Sequence, residues 1–166
     1  MREHFELTPM QKDARNCLHH RGDIVLVDDI LECYQDGIIT QSIITSSNPF
    51  LKTNEQIFPM FQGIELIAQS LGCYQKILHS HKGLISKPRI GFLLSARNFE
   101  ILMPFAKVGQ KLITQVEITT QDESGFGVCE GKIFFDNMEE GQLACRSSVS
   151  VLCPNEGIQE FIRNKK

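Results

Sequence analysis

The chain has 166 residues, 42% of them hydrophobic and 22% charged, with a formal net charge of -3. That length suits one domain able to bury roughly two-thirds of its unfolded surface, and the balance is that of an ordinary globular protein. No global basic field argues for nucleic acid or an anionic membrane surface, and the apolar runs are too short and too interrupted to cross a bilayer.

The first residues, MREHFELTPMQKDARN, contain no apolar stretch of signal-peptide length, so the expected location is cytoplasmic. Within them, Thr8-Pro9 predicts the start of a short helix, and His4 is expected to lie on a mobile terminus. DIVLVDDILECYQDGIITQSIITSS follows, two β-rich runs over Ile24 to Tyr34 and Gly37 to Thr45. They meet at Gln35-Asp36-Gly37, and Asp-Gly between strand formers signals a hairpin. Ser46 to Phe58 reads as a polar loop around Asn48-Pro49.

After Pro59 comes a long helical pattern, with Ile64, Ile67, Ala68, Leu71, Tyr74 and Leu78 at steps of three and four. Leu66, Cys73 and Ile77 widen that stripe over most of the circumference, so the helix should be wrapped rather than laid on a surface. HSHKG and Gly83 mark its stop, with His79 and His81 expected just past the end.

Ile90 to Leu102, Gln110 to Thr120, Gly125 to Asp136 and Gln142 to Leu152 then read as strands bounded by Gly, Pro, Asp or Asn. Turns are expected at Asp122 to Gly125 and Asp136 to Gly141, and a short exposed helix in the tail, PNEGIQEFIRNKK. The order predicts an α+β fold with an antiparallel sheet curled around one helix, as a single domain over 1–166 with its core at about 18–152. One helix cannot cover a whole sheet, so edges are left for a second copy or a partner.

The six cysteines (Cys17, Cys33, Cys73, Cys129, Cys145, Cys153) show neither CxxC nor zinc spacing and read as small buried hydrophobes. No metal site, phosphate loop, dinucleotide fingerprint or serine elbow is present in the pattern; SGFG at Ser124 reads as a turn.

One polar residue interrupts the apolar helix start, Glu65. Beside Ile64, Leu66 and Ala68 it is expected to be held dry, which would raise a carboxyl above its usual ~4.3 and suit it to give up a proton near neutral pH. Gln69, four residues on, shares its helical face and can hydrogen-bond it. The helix-start dipole also favours a carboxylate there for stability alone.

Four stretches together resemble hot-dog-fold 3-hydroxyacyl-[acyl-carrier-protein] dehydratases: LHHRGDIVLVDDIL (Leu18 to Leu31), SNPF (Ser47 to Phe50), FPMFQGIELIAQ (Phe58 to Gln69) and GFLLSARNFEILMPFAKVGQKLITQVEI (Gly91 to Ile118). The resemblance runs from about Leu18 to Leu152. It implies a hot-dog dimer with active sites at its interface, and removal of water from a 3-hydroxyacyl thioester. It implies Glu65 as the catalytic carboxylate with Gln69 beside it, and Phe58, Pro59, Met60 and Gly63 as substrate-binding. No cofactor is implied beyond the phosphopantetheine arm that arrives with an acyl carrier protein. Lys87, Arg89, Arg97 and Lys107, with Lys82 nearby, fall where the resemblance puts a carrier-protein contact.

The chain departs from the family pattern in one place. The catalytic histidine of a His-Phe-Pro loop, supplied across the dimer interface, has no counterpart in FLKTNEQIFPMF, which is also about three residues shorter, and Met60 stands where the family has glycine. His20 matches a family histidine marked as structural; His19 falls on a proline position and is expected exposed. In this the chain most resembles the histidine-lacking subunits of aryl-polyene-type pathways. That implies a heterodimer with a histidine-bearing hot-dog subunit; a homodimeric thioesterase using Glu65 alone, or a non-catalytic acyl-thioester or carrier-protein binding module, are the alternatives.

Overall fold

Turn chemistry sets the first hairpin. In the computed structural model, which describes residues 2–52, 54–84, 91–154 and 163, β1 (Asp29–Tyr34) and β2 (Gly37–Ile43) pair antiparallel with Tyr34 opposite Gly37. The first β-rich run becomes strand later than its composition suggests. Gly22–Ile24 forms a 3-10 turn instead, and the Leu26 and Val27 amides are taken by a glutamine side chain, described below.

Residues 46–58 are not wholly loop. β3 (Ile57–Pro59) pairs with β5 (Phe105–Lys107) as a separate two-stranded ribbon. A 3-10 turn over Met60–Gln62 leads into the long helix, Gly63–His81. This is α2; α1 is the short Pro9–Lys12, opened by a capping box in which Thr8 and Gln11 exchange hydrogen bonds. The stop of α2 is a Schellman pair: Gly83 N–H bonds Ser80 O, Leu84 N–H bonds His79 O, and Gly83 takes φ +70°. His79 and His81 therefore lie in the last turn, not beyond it.

The main sheet is antiparallel in the order β1-β2-β6-β7-β8-β4, where β4 is Phe92–Ile101, β6 Lys111–Gln121, β7 Phe126–Phe135 and β8 Leu143–Leu152. The SGFG stretch is the β6–β7 turn, where Asp122 Oδ1 accepts from the Ser124 and Phe126 amides and Gly125 takes φ +89°. Leu66, Ile67, Leu71, Tyr74 and Ile77 of α2 share one core with Ile38, Leu112, Val116, Ile133 and Val149 of the sheet. Tyr74 is enclosed and its hydroxyl donates to Gln35 O at 2.7 Å, so the sheet wraps the helix as its apolar circumference predicts.

The two sheet edges are treated differently. The N-terminal segment covers β1: Phe5 N–H bonds Cys33 O, Gln35 N–H bonds Glu3 O and Ala14 N–H bonds Asp28 O. His4 is thereby pinned beside Tyr34 rather than lying on a loose terminus. The β4 edge has no such cover among the described residues. All ten of its residues except Ser95 are exposed, including Phe92, Leu93, Leu94, Phe99 and Ile101, the pattern of an edge that pairs with another chain.

Five cysteines are buried, Cys153 is half-buried, and all six are free thiols. No helix among the described residues is long and apolar enough to cross a membrane. The tail expected as a helix lies outside the described residues apart from Pro154 and Arg163.

Candidate active site

One stripe of α2 is not wrapped. Glu65, Ala68, Gly72, Gln75 and His79 are partly open positions of the helix, and they lie at helical spacing along about 21 Å of its length. All five border a cavity of about 390 Å³. Its opposite walls are residues 17–20 and the start of β4 with the end of β8, including Phe92, Leu93 and Val151. The cavity thus opens beside the uncovered sheet edge, and its lining is mostly apolar at that end.

Glu65 stands in the first turn of α2, where the unpaired amides favour a negative group. Gln69, only 1% exposed, donates from Nε2 to Glu65 Oε1 at 2.9 Å and to Ile24 O at 2.7 Å. Its Oε1 accepts from Leu26 N at 2.8 Å and more weakly from Val27 N at 3.4 Å. Both ends of the amide are therefore used, which fixes its orientation. Glu65 and Gln69, four residues apart, are brought together as their spacing predicts.

The structure adds a residue that sequence reasoning passed over as structural. His20 Nε2 lies 3.6 Å from Glu65 Oε1, and His20 also borders the cavity. Its other ring nitrogen, Nδ1, is buried without a hydrogen-bond partner among the described residues, an arrangement that costs about 1–3 kcal/mol. Arg21 holds the segment in place, its guanidinium donating to Leu18 O at 2.6 Å and to His20 O at 2.7 Å. The separation of 45 positions between His20 and Glu65 hid the pair from any local pattern; the only available signal was that both match motifs of one family.

Other expectations need correcting. Glu65 is not dry in the single protomer, since a third of its side chain is exposed. Two of its apolar sequence neighbours, Leu66 and Ile67, are fully buried in the core on another side of the helix, while the carboxylate faces Gln69, His20 and, with Ala68, the cavity. Phe58, Pro59, Met60 and Gly63 do not line this cavity. Phe58 and Met60 are fully buried, and a Cβ on Gly63 would meet Ile133 Cδ1 at 2.8 Å. They build the floor that seats the helix start.

Of the four basic positions, only Arg97 and Lys107 fall among the described residues; Lys87 and Arg89 lie outside them. Arg97 on β4 and Lys107 at the end of β5 are exposed on different sheets. His19 is exposed at the cavity wall, as expected, and His81 stacks on Phe5 with ring centroids 4.1 Å apart. No cluster of metal-binding side chains occurs among the described residues.

Comparison with known proteins extends this picture. A solved structure of the dehydratase heterocomplex ApeI:P from Xenorhabdus doucetiae superposes with a TM-score of 0.79, covering 97% of this chain and 99% of the other at 22% identity. A hypothetical thioesterase from Streptococcus pneumoniae TIGR4, solved with coenzyme A, gives a TM-score of 0.57 over 78% of this chain and 90% of that one at 15% identity. Both likenesses are of fold: the hot-dog, α+β, with one helix wrapped by an antiparallel sheet.

In sequence, the 3-hydroxyacyl-[acyl-carrier-protein] dehydratase FabZ of Streptococcus uberis is 31% identical over 75 residues, 43% of this chain. FabZ of Streptococcus agalactiae is 29% identical over the same length. The chain spans about half the length of these curated relatives, 54% in each case. The pattern of the ApeP-like family, described as ApeP dehydratase, instead runs from residue 12 to residue 163 and takes in the helix start, the carboxylate and the sheet alike. With almost the whole fold and Glu65 inside that match, the chain belongs to the ApeP-like dehydratase family.

Proposed function

We propose that this chain is the carboxylate-bearing half of a dehydratase that removes water from 3-hydroxyacyl thioesters delivered on the phosphopantetheine arm of an acyl carrier protein. The observation that carries the reading is Glu65, clamped by Gln69 in the first turn of the enclosed helix and facing a cavity that opens beside the bare β4 edge. Family membership supports a place in fatty-acid or polyene synthesis. Six free thiols fit a reducing cytoplasm.

The reaction needs two groups. Glu65 as the acid gives its proton to the 3-hydroxyl; the C3–O bond breaks and water leaves. A base takes a proton from C2, and that electron pair forms the C2=C3 double bond. The acid is left as a carboxylate and the base protonated, and one proton transfer between them or through water resets the pair.

The loop before α2 offers no histidine for the second role. A second hot-dog chain that pairs along β4 brings its own loop to the cavity mouth, where Phe92 and Leu93 lie. It also covers the exposed apolar row and reduces the solvent exposure of Glu65. The ApeI:P structure is itself a dehydratase heterocomplex, which supports a partner unlike this chain. The carrier protein would approach from the basic positions Lys87, Arg89, Arg97 and Lys107; pairing along β4 puts Arg97 at the seam and leaves Lys107 as the outlying contact.

The test is reconstitution. This chain is mixed with a hot-dog protein bearing His-Phe-Pro, and a 3-hydroxyacyl carrier protein is followed by mass spectrometry for loss of one water. Activity is expected only in the mixture, and Glu65→Gln should lower it by about 10²–10⁴. Thioester hydrolysis by the pure chain, lost in Glu65→Gln, would replace this reading with a thioesterase.

A further inference from the structure

We infer that His20 is a positioning residue for Glu65, directing the acid's proton onto Oε2, the oxygen left for substrate. The inference rests on the dehydratase reading above and assigns a role to a histidine outside the two groups that the reaction requires.

Three observations meet at this point. Gln69 Nε2 and His20 Nε2 approach the same carboxylate oxygen, Oε1, at 2.9 and 3.6 Å. Oε2 has no hydrogen-bond partner among the described residues. And His20 Nδ1 is enclosed, with no partner among the described residues.

An amide N–H already donates to Oε1. A ring nitrogen facing that oxygen is favourable only as a donor, so the neutral imidazole carries its hydrogen on Nε2 and leaves Nδ1 bare. When Glu65 is protonated, Oε1 faces two donors and has no acceptor for an O–H. The hydrogen of the acid therefore sits on Oε2. At 3.6 Å the His20 contact is longer than a hydrogen bond, and apo contacts of this kind shorten when substrate closes the site.

The same geometry favours a supporting role for His20 over that of the C2 base. Its Nε2 is turned to the carboxylate and its Nδ1 is enclosed in protein. With the base supplied by a partner chain, as proposed above, His20 sets up the acid that this base works against.

The test has two independent arms. In the first, the free chain labelled with ¹⁵N-histidine is examined by NMR, with no substrate and no partner needed. His20 is expected as the Nε2–H tautomer, with that resonance shifted in Glu65→Gln; a dominant Nδ1–H tautomer overturns the inference. In the second, the reconstituted enzyme is assayed with a 3-hydroxyacyl carrier protein. His20→Ala is expected to lower kcat by on the order of 10² with KM little changed. His20→Gln, whose amide can donate to Oε1 from a similar place, should recover a large part of that loss.

Wild-type kcat in His20→Ala, or a loss in both variants as deep as that of Glu65→Gln, would overturn it. Undiminished dehydration in Glu65→Gln would instead sink the dehydratase reading while leaving the tautomer result standing. Helix content by circular dichroism checks that each variant is folded.

Discussion

Gly131 of β7 lies so close beneath Ile67 of α2 that a methyl group added at Gly131 would sit 2.6 Å from Ile67 Cδ1, 2.7 Å from Cγ2 and 2.8 Å from Cγ1. The sheet touches the helix through a missing side chain. Because two of those atoms are on the inner part of the side chain, a simple rotamer change at its tip does not make room. Gly131→Ala should destabilise by about 1–3 kcal/mol through overpacking. In urea unfolding, Ile67→Val introduced with it is expected to be less costly than the sum of the two single changes, and strict additivity would show the contact to be slack.

A hydroxyl relay crosses the same interface. Ser70 donates to Leu66 O at 2.7 Å and its oxygen lies 2.7 Å from Thr40 Oγ1, so Thr40 on β2 is the donor between them. Both side chains are fully buried. Ser70→Ala leaves the Thr40 hydroxyl without its acceptor and should cost about 1–3 kcal/mol. Thr40→Val combined with Ser70→Ala removes both polar groups and is expected to be milder than the two single losses added together. A double-mutant cycle by thermal or urea unfolding reads the coupling directly.

Alkaline pH should loosen the fold through its thiols. Burial pushes Cys33, Cys129 and Cys145 each up to about 12, whereas an exposed thiol releases its proton near ~8.5. Between those values the unfolded chain binds fewer protons than the folded one, so unfolding free energy falls as pH rises. The contribution is whole below ~8.5 and disappears as pH climbs toward 12. Urea midpoints taken from pH 7 to pH 10.5 should decline, and Cys129→Ala should decline less steeply; a parallel slope would show that the thiols are not responsible.

The bare edge offers a solution measurement. Leu94→Asp with Phe99→Asp puts two carboxylates into the exposed apolar row of β4. Each lost apolar burial is worth about 1.5–3 kcal/mol, so complex formation with a histidine-bearing hot-dog chain should weaken by well over tenfold. Sedimentation velocity reads this. The protomer fold should be untouched, because neither side chain belongs to the core.

What was legible in the sequence was what short-range chemistry determines. Asp36-Gly37 specified a turn, Thr8-Pro9 a cap, Gly83 a stop, and the Glu65/Gln69 spacing one helical face; each appears where the residues put it. The enclosing of α2 was equally readable, because a stripe of apolar residues too wide for one surface has to be wrapped. The failures came where a distant group took over the backbone or the side chain. Leu26 and Val27 look like strand, yet their amides are bound by Gln69 of the helix. Ile57 to Pro59 is too short to show a period and becomes strand only because Phe105 to Lys107 lies alongside. Glu65 has apolar neighbours in sequence and a histidine and a cavity in space. His20 falls on a family position marked as structural, and its nearness to Glu65 exists only in the folded chain.

The two-sided clasp of Gln69 has a practical consequence. Its oxygen receives the Leu26 amide while its nitrogen reaches the acid, so the two are electrically joined through one planar group. Adding or removing the acid's proton changes how strongly the Gln69 nitrogen is drawn to Oε1, and with it the polarity of the oxygen that Leu26 faces. The Leu26 backbone resonance is therefore a built-in gauge of the acid's protonation state. A pH series followed at that single amide reads it in the free chain.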